Sequence, residues 1–172
     1  HLQRGFVLDE RGHAFADASL DVALRRQVML DERTIGGDER MHAIERLDAR
    51  GRTMTVQAGA TLQAVHEAAE AEGLVMPLDL GARGTATIGG NIATNAGGMQ
   101  AVRYGVTREN VLGLQAALAT GELIRSGGAI VKNSSGYDLT QLIIGSEGTL
   151  ALVTEATLRL RTRAAVRSTL LA

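Results

Sequence analysis

Apolar and polar positions change period along the chain, and each change marks an element. Residues 53–58 (TMTVQA) alternate and carry β-branched side chains, which predicts a strand after the turn at Arg50-Gly51-Arg52. From 62 to 72 the spacing becomes helical, with Leu62, Val65 and Ala69 on one face. Thr61 is placed to cap that helix, and Gly73 tolerates the left-handed conformation that closes one. His66 lies within it and reads as scaffold. Residues 16–30 repeat Leu20, Ala23, Leu24 and Val28 at similar spacing, with Asp17 near the start, and predict another helix.

The second half is richer in strands. VLGLQAALA, at 111–119, is an apolar run that predicts a buried strand, and Thr120-Gly121 turns it into 122–125 to make a hairpin. Residues 133–136 predict a turn, 137–143 a short helix, 145–148 a break, and 149–160 a further strand. The pattern fades over 161–172. No repeat or linker divides the chain, so the expectation is one α+β domain.

Between these halves, residues 77–98 (PLDLGARGTATIGGNIATNAGG) are built almost wholly of small side chains, with only Asp79 and Arg83 charged. Pro77, the single proline, fixes φ where the chain enters this stretch. Gly81, Gly84, Gly89, Gly90, Gly97 and Gly98 allow the backbone to approach a ligand closely, and successive peptide N–H groups can line an anion-binding concavity. The same composition also suits an ordinary loop.

Composition narrows the function classes. The chain has 172 residues, is 45% hydrophobic and carries a formal charge of −1, so nothing draws it generally toward nucleic acid or anionic membrane. There is no cysteine, which excludes disulfides, thiolate metal sites and a thiol nucleophile, and fits a reducing compartment. The four histidines lack metal-ligand spacing; His13 and His42 stand among charges and read as surface residues. No apolar run reaches the ~18 residues of a membrane helix, and the start HLQRGFVLDERGH has no signal-like core, so the expectation is a cytoplasmic protein without a membrane span.

Three blocks in order carry a resemblance: TVQAGATLQAVHEAAEAEGLVMPLDLGARGTATIGGNIATNAGG, then RYG and KNSSGYDL, then IGSEGTLALVTEATLRL. Together, over residues 39–160, they resemble the flavin-linked oxidases of the vanillyl-alcohol oxidase and p-cresol methylhydroxylase (PCMH) family. The likeness is nearest to the branch with D-lactate dehydrogenase, D-2-hydroxyglutarate dehydrogenase and the glycolate oxidase flavoprotein subunit. It implies an α+β PCMH-type FAD-binding domain over 38–160, oxidising a small D-2-hydroxy acid through the flavin when the full enzyme is assembled.

The resemblance also implies site residues. Pro77 and Leu78 lead into a loop where the backbone of Gly81, Ala82, Gly84, Ile88, Gly89 and Gly90 supplies donors to the FAD pyrophosphate. Thr94 and Asn95 lie near the flavin's polar edge, with turn capping as their other reading. The Glu147-Gly148 turn shapes the site, and Val153 meets adenine through its main-chain N–H and C=O. Tyr137 and Asp138 match a family block, with Tyr137 expected as a buried, hydrogen-bonded structural residue rather than a catalytic one. FAD is expected to be non-covalent, since cysteine is absent and no histidine attachment loop is recognisable.

Departures from the family are as specific. The glycine-rich P-x-G-G-x-T-G-L loop expected before Asp38-Glu39-Arg40-Met41 is not recognisable, which leaves 1–37 unassigned. The substrate cap expected after TEATLRL, with its carboxylate-binding arginine and metal-binding histidines, is not recognisable either, and 161–172 reads as a tail or a cap's beginning. No residue can be named as the base, and the chain alone reads as incomplete for catalysis, requiring a cap domain or partner subunit. The competing expectation is a non-catalytic scaffold or subunit that has lost flavin.

Overall fold

The computed structural model describes residues 41–129 and 136–164, together with two short antiparallel strands, β1 (Val7–Leu8) and β2 (Ala14–Phe15). The helix expected over 16–30 and most of the turn at 133–136 lie outside the described residues.

The strand expected over 53–58 is β4 (Thr53–Gln57), which follows β3 (Ile44–Asp48) through a turn where the Gly51 N–H donates to the Asp48 carboxylate at 2.9 Å. Helix α1 (Leu62–Ala71) begins as expected, the Thr61 hydroxyl accepting from the Ala64 N–H at 3.2 Å, and it ends just before Gly73, whose φ is +69°. Strand β5 (Leu74–Val75) leads into the glycine-rich stretch, which contains helix α2 (Ile88–Ala93). A short helix α3 (Ala101–Tyr104) and a 3-10 turn (Thr107–Asn110) then deliver the chain to the hairpin of β6 (Val111–Leu118) and β7 (Leu123–Gly127). Helix α4 (Leu139–Ile143), β8 (Ala151–Arg159) and β9 (Arg161–Thr162) complete the order.

The main sheet has five strands in the order β3-β4-β8-β6-β7, with each neighbouring pair antiparallel. Two local hairpins are therefore joined by a strand from much later in the chain, and β8 is central because it satisfies an edge of each. Its inward side chains, Ala156 and Leu158, meet Met54 and Val56 of β4 and Leu114 and Ala116 of β6 in the core. Leu62, Val65 and Ala69 of α1 and Ile88 and Ile92 of α2 complete this core. The apolar face read from the spacing of α1 is the face the helix buries.

Two features depart from simple alternation. Val153 and Thr154 are both buried, and between them the register against β6 shifts, Gln115 facing Glu155 while Ala116 faces Val153. This is a bulge, and the Thr154 hydroxyl donates across it to the Gln115 carbonyl at 3.2 Å. Beyond Leu160, where the pattern fades, Arg161 and Thr162 instead pair with Val75 and Leu74, tying the end of β8 to the entrance of the glycine-rich stretch.

Ile92 is fully buried, whereas Val102 on α3 is fully exposed. Ile92→Ala should lower unfolding free energy by about 2–5 kcal/mol, and Val102→Ala should change it by less than about 0.5 kcal/mol. Urea denaturation followed by circular dichroism checks both.

Candidate functional site

The entry of the glycine-rich stretch is anchored from below. Pro77 and Leu78 are buried, and the Leu78 carbonyl lies 2.8 Å from His66 Nε2 of α1, so the scaffold role read for His66 is to hold this strand end. The chain then surfaces as a turn over residues 81–85, closed by the Thr85 and Ala86 N–H groups on the Ala82 carbonyl at 3.0 and 2.8 Å. Asp79 and Arg83 brace it as an ion pair at 3.6 Å, and the Leu62 and Gln63 N–H groups at the start of α1 donate to Ala86 and Arg83 carbonyls. Among the described residues, no hydrogen bond engages the N–H groups of Gly81, Ala82 or Gly84. A Cβ at Gly81 or Gly84 would meet nothing within 4 Å, so this turn presents open backbone.

Helix α2 behaves differently. Thr87 caps it, its hydroxyl accepting from the Gly90 N–H at 3.2 Å. The N–H groups of Ile88 and Gly89, expected to face an anion, are instead engaged by the carbonyls of Ala60 at 2.9 Å and Ala58 at 2.7 Å. They dock the helix onto the end of β4, because a six-residue helix cannot stand without tertiary support. The same docking explains Gly89, where a Cβ would sit 2.9 Å from the Ala58 methyl group. At Gly90 a Cβ would meet only the Thr87 hydroxyl, at 3.1 Å.

The far end of α2 is held by the turn over residues 145–148. The Gly145 N–H donates to Ile92 O at 3.0 Å and the Glu147 N–H to Ala93 O at 2.9 Å, which caps carbonyls that a helix end leaves unpaired. Glu147 reaches this geometry at φ +52° with an exposed side chain, and Asn95, just past the helix, sits at φ +48°. Thr94 and Asn95 serve as turn caps: the Thr94 hydroxyl donates to Gly90 O at 2.9 Å, and Asn95 Oδ1 accepts from the Arg108 N–H at 3.0 Å.

Between α2, the end of β4 and β8 lies a cleft of about 250 Å³. Gly89, Gly90, Gly148 and Val153 line it, together with Thr87 and Ser146, which the sequence reading missed. Pairing of β4 with β8 ends at Gln57 opposite Glu155, with one more bond from the Ala58 N–H to Thr154 O at 2.9 Å. Residues 151–153 consequently pair with β6 on one edge and border the cleft. The Ser146 hydroxyl is buried with no hydrogen-bond partner, an unsatisfied group of the kind a ligand completes. Its only sequence signal was a small polar residue inside a glycine turn. Pro77, Leu78, Gly81, Ala82, Gly84, Ile88, Thr94, Asn95 and Glu147 are not among the lining residues.

Tyr137 requires a correction, because it is 97% exposed rather than buried. Asp138 caps α4, accepting from the Gln141 N–H at 3.0 Å, so the helix starts after Tyr137 and gives its ring no packing face. A larger cleft of about 390 Å³, bordered by Arg108, Asp138, Gln141 and Arg159, contains none of the expected cofactor residues. Its rim residues Gly128 and Gly136 lead into 130–135, outside the described set, so its volume defines no site. Among the described residues, no helix is long and apolar enough to cross a membrane.

The chain is thus an antiparallel α+β domain with a glycine-lined cleft between α2, the end of β4 and β8. A family model described as an FAD binding domain matches residues 23–127, and the chain belongs to that family, with FAD as its cofactor and a PCMH-type fold. The match begins within the stretch left unassigned by the sequence reading. The chain is 58% identical over 122 residues to a D-2-hydroxyglutarate dehydrogenase of Xanthomonas citri pv. viticola, covering 71% of this chain and 26% of that protein. It is 46% identical over 132 residues to the glycolate oxidase subunit GlcD of Bacillus subtilis, covering 77% and 28% respectively. A D-lactate dehydrogenase of Archaeoglobus fulgidus is 49% identical over 133 residues, covering 77% and 30%. Among solved structures, an alkyldihydroxyacetonephosphate synthase aligns with a TM-score of 0.62 at 26% identity, over 72% of this chain and 22% of that one. The chain spans about a quarter of the length of the curated relatives it matches.

The two adjacent glycines of α2 should respond differently to substitution. Gly89→Val forces a branched side chain into Ala58 and should destabilise the fold by at least about 1 kcal/mol, the low end of overpacking costs. Gly90→Ala should stay within about 1 kcal/mol of the parent, since helix propensity offsets crowding at Thr87. Thermal melts of the two variants, without ligand, read the difference.

Proposed function

We propose that FAD occupies the cleft between α2 and β8 and that the domain serves a flavin-dependent oxidoreductase acting on D-2-hydroxy acids. The observation that carries the reading is the buried, unpartnered Ser146 hydroxyl inside a cleft walled by Gly90 and Gly148. A pocket for a drug-sized ligand measures about 300–1,000 Å³, so this cleft suits one part of an extended dinucleotide. Gly90 lets the ligand lie close to the backbone, while Ser146 offers a hydroxyl that can donate or accept. The open N–H groups of Gly81, Ala82 and Gly84 suit the pyrophosphate, and the Val153 backbone at the cleft edge suits adenine. Thr94, Asn95 and Glu147 act indirectly, by fixing the turns that hold these groups. Pro77, Leu78, Ile88 and Gly89 support the loop from behind.

FAD, when bound, supplies acceptance of a hydride equivalent from the substrate carbon. This chain's residues hold and orient the cofactor; none of them is assigned as the base. This chain has no cysteine to form a cysteinyl flavin linkage, and we expect non-covalent binding. Residues 38–160, extended by the β9 pairing, form the cofactor-binding unit in this reading. The substrate class follows from the names of the relatives, which are dehydrogenases or oxidases of D-2-hydroxyglutarate, D-lactate and glycolate.

The test has two arms. Purified chain mixed with FAD and desalted should retain the flavin's blue absorbance, and Gly90→Val should lose it while keeping its circular dichroism. A chimera in which this chain replaces the matching segment of the Xanthomonas citri enzyme should reduce dye with D-2-hydroxyglutarate. A folded chain and folded chimera that hold no flavin would establish the empty scaffold instead.

A further inference from the structure

Arg108 hydrogen-bonds Asn95, Gln141 and Ile144, yet it does not line the cleft. Its backbone N–H donates to Asn95 Oδ1 at 3.0 Å, in the left-handed turn that follows α2. Its guanidinium reaches the opposite way: Nη1 donates to the Gln141 carbonyl and, at 3.2 Å, to Gln141 Oε1, while Nη2 donates to the Ile144 carbonyl at 2.5 Å. Gln141 Nε2 returns a bond to the Arg108 carbonyl at 3.3 Å. The guanidinium thus caps the carbonyl end of α4 with the planar fork that only arginine possesses.

The residues that follow carry this clamp to the cleft. Ile144 precedes Gly145, where a Cβ would lie 3.3 Å from both Arg108 Nη2 and the Asn95 Cβ, at φ +83°. Gly145 and Glu147 then donate to the last carbonyls of α2, and between and beyond them Ser146 and Gly148 form the cleft wall. Both non-glycine residues held at left-handed φ around the cleft, Asn95 and Glu147, belong to this connected set. Such conformations persist only where surrounding contacts over-determine them.

We propose that Arg108 is a positioning residue for FAD: by joining the turn after α2 to the carbonyl end of α4, it sets where Ser146 and Gly148 stand against Gly90. The inference rests on the assignment of FAD to this cleft. Removing the guanidinium frees the Ile144-to-Gly148 segment to shift, so the wall misplaces its hydroxyl and backbone without any cofactor contact being deleted. Lysine keeps the charge but can address only part of the set of carbonyls.

The experiment measures FAD dissociation constants by flavin fluorescence, beside thermal midpoints of the ligand-free proteins, for the parent chain, Arg108→Lys, Arg108→Met and the exposed control Arg103→Met. Arg108→Met should weaken FAD by about tenfold or more, Arg108→Lys by less, and Arg103→Met not at all. The bound flavin's absorbance band should also change shape in Arg108→Met, which a general loss of stability in the folded fraction does not produce. If Arg108→Met does not fold, Arg108→Lys decides alone. Parental FAD affinity in a folded Arg108 variant, with or without a lowered melting midpoint, overturns the inference and leaves the cleft assignment standing. Failure of the parent chain to bind FAD overturns both.

Discussion

The site depends on how a helix too short to be stable by itself is held at both ends. α2 has six residues, fewer than an isolated helix needs by a factor of about two. At its start, the Ile88 and Gly89 N–H groups are taken by Ala60 and Ala58, next to the end of β4. At its finish, the Ile92 and Ala93 carbonyls receive Gly145 and Glu147 from a turn more than fifty residues further on. Each bond satisfies a backbone group that a helix terminus leaves unpaired, and each also fixes one wall of the cleft against another. Fold and site are therefore not separable here, since the contacts that make α2 a helix are the contacts that give the cleft its shape.

That arrangement divides the glycine-rich backbone into two kinds of peptide group. At the start of α2 the N–H groups are engaged within the protein, those of Ile88 and Gly89 by carbonyls and that of Gly90 by the Thr87 hydroxyl. In the turn over 81–85, Gly81, Ala82 and Gly84 keep theirs open, while Asp79, Arg83 and the start of α1 brace the turn from beneath. A uniformly small sequence thus performs two tasks: close packing at Gly89, where the Ala58 methyl group leaves no space, and exposed donors a few residues earlier.

Local periodicity made much of the fold legible. The alternation in 53–58, the apolar face of α1 with Thr61 and Gly73 at its ends, and the Thr120-Gly121 hairpin all depend on neighbours within a few residues, and all form as read. The central place of β8 and the pairing of Arg161-Thr162 with Leu74-Val75 depend on partners far along the chain, which spacing alone does not encode. For the site, small residues announced a close-approach backbone, and Gly90, Gly148 and Val153 do meet at one cleft. Which N–H groups point outward was hidden, because Ile88 and Gly81 look equally available until their carbonyl partners are known. Ser146 escaped notice for a related reason: a hydroxyl becomes informative only when burial has removed its water. Tyr137 was misread because the cap at Asp138 starts α4 at Leu139, two residues later than the spacing suggested, which leaves the exposed ring ahead of the helix.

Backbone amide hydrogen exchange, resolved by residue with and without FAD, tests this account most directly. Without ligand, the engaged Ile88 and Gly89 amides should already exchange slowly, while those of Gly81, Ala82 and Gly84 exchange fast. Addition of FAD should slow the second group and the amides around Ser146 and Gly148, with little further change at Ile88 and Gly89. Slowing confined to the cleft beside Arg159 and Asp138, or bound FAD that leaves Gly81, Ala82, Gly84 and Gly148 unchanged, would contradict the assignment of the cofactor to this site.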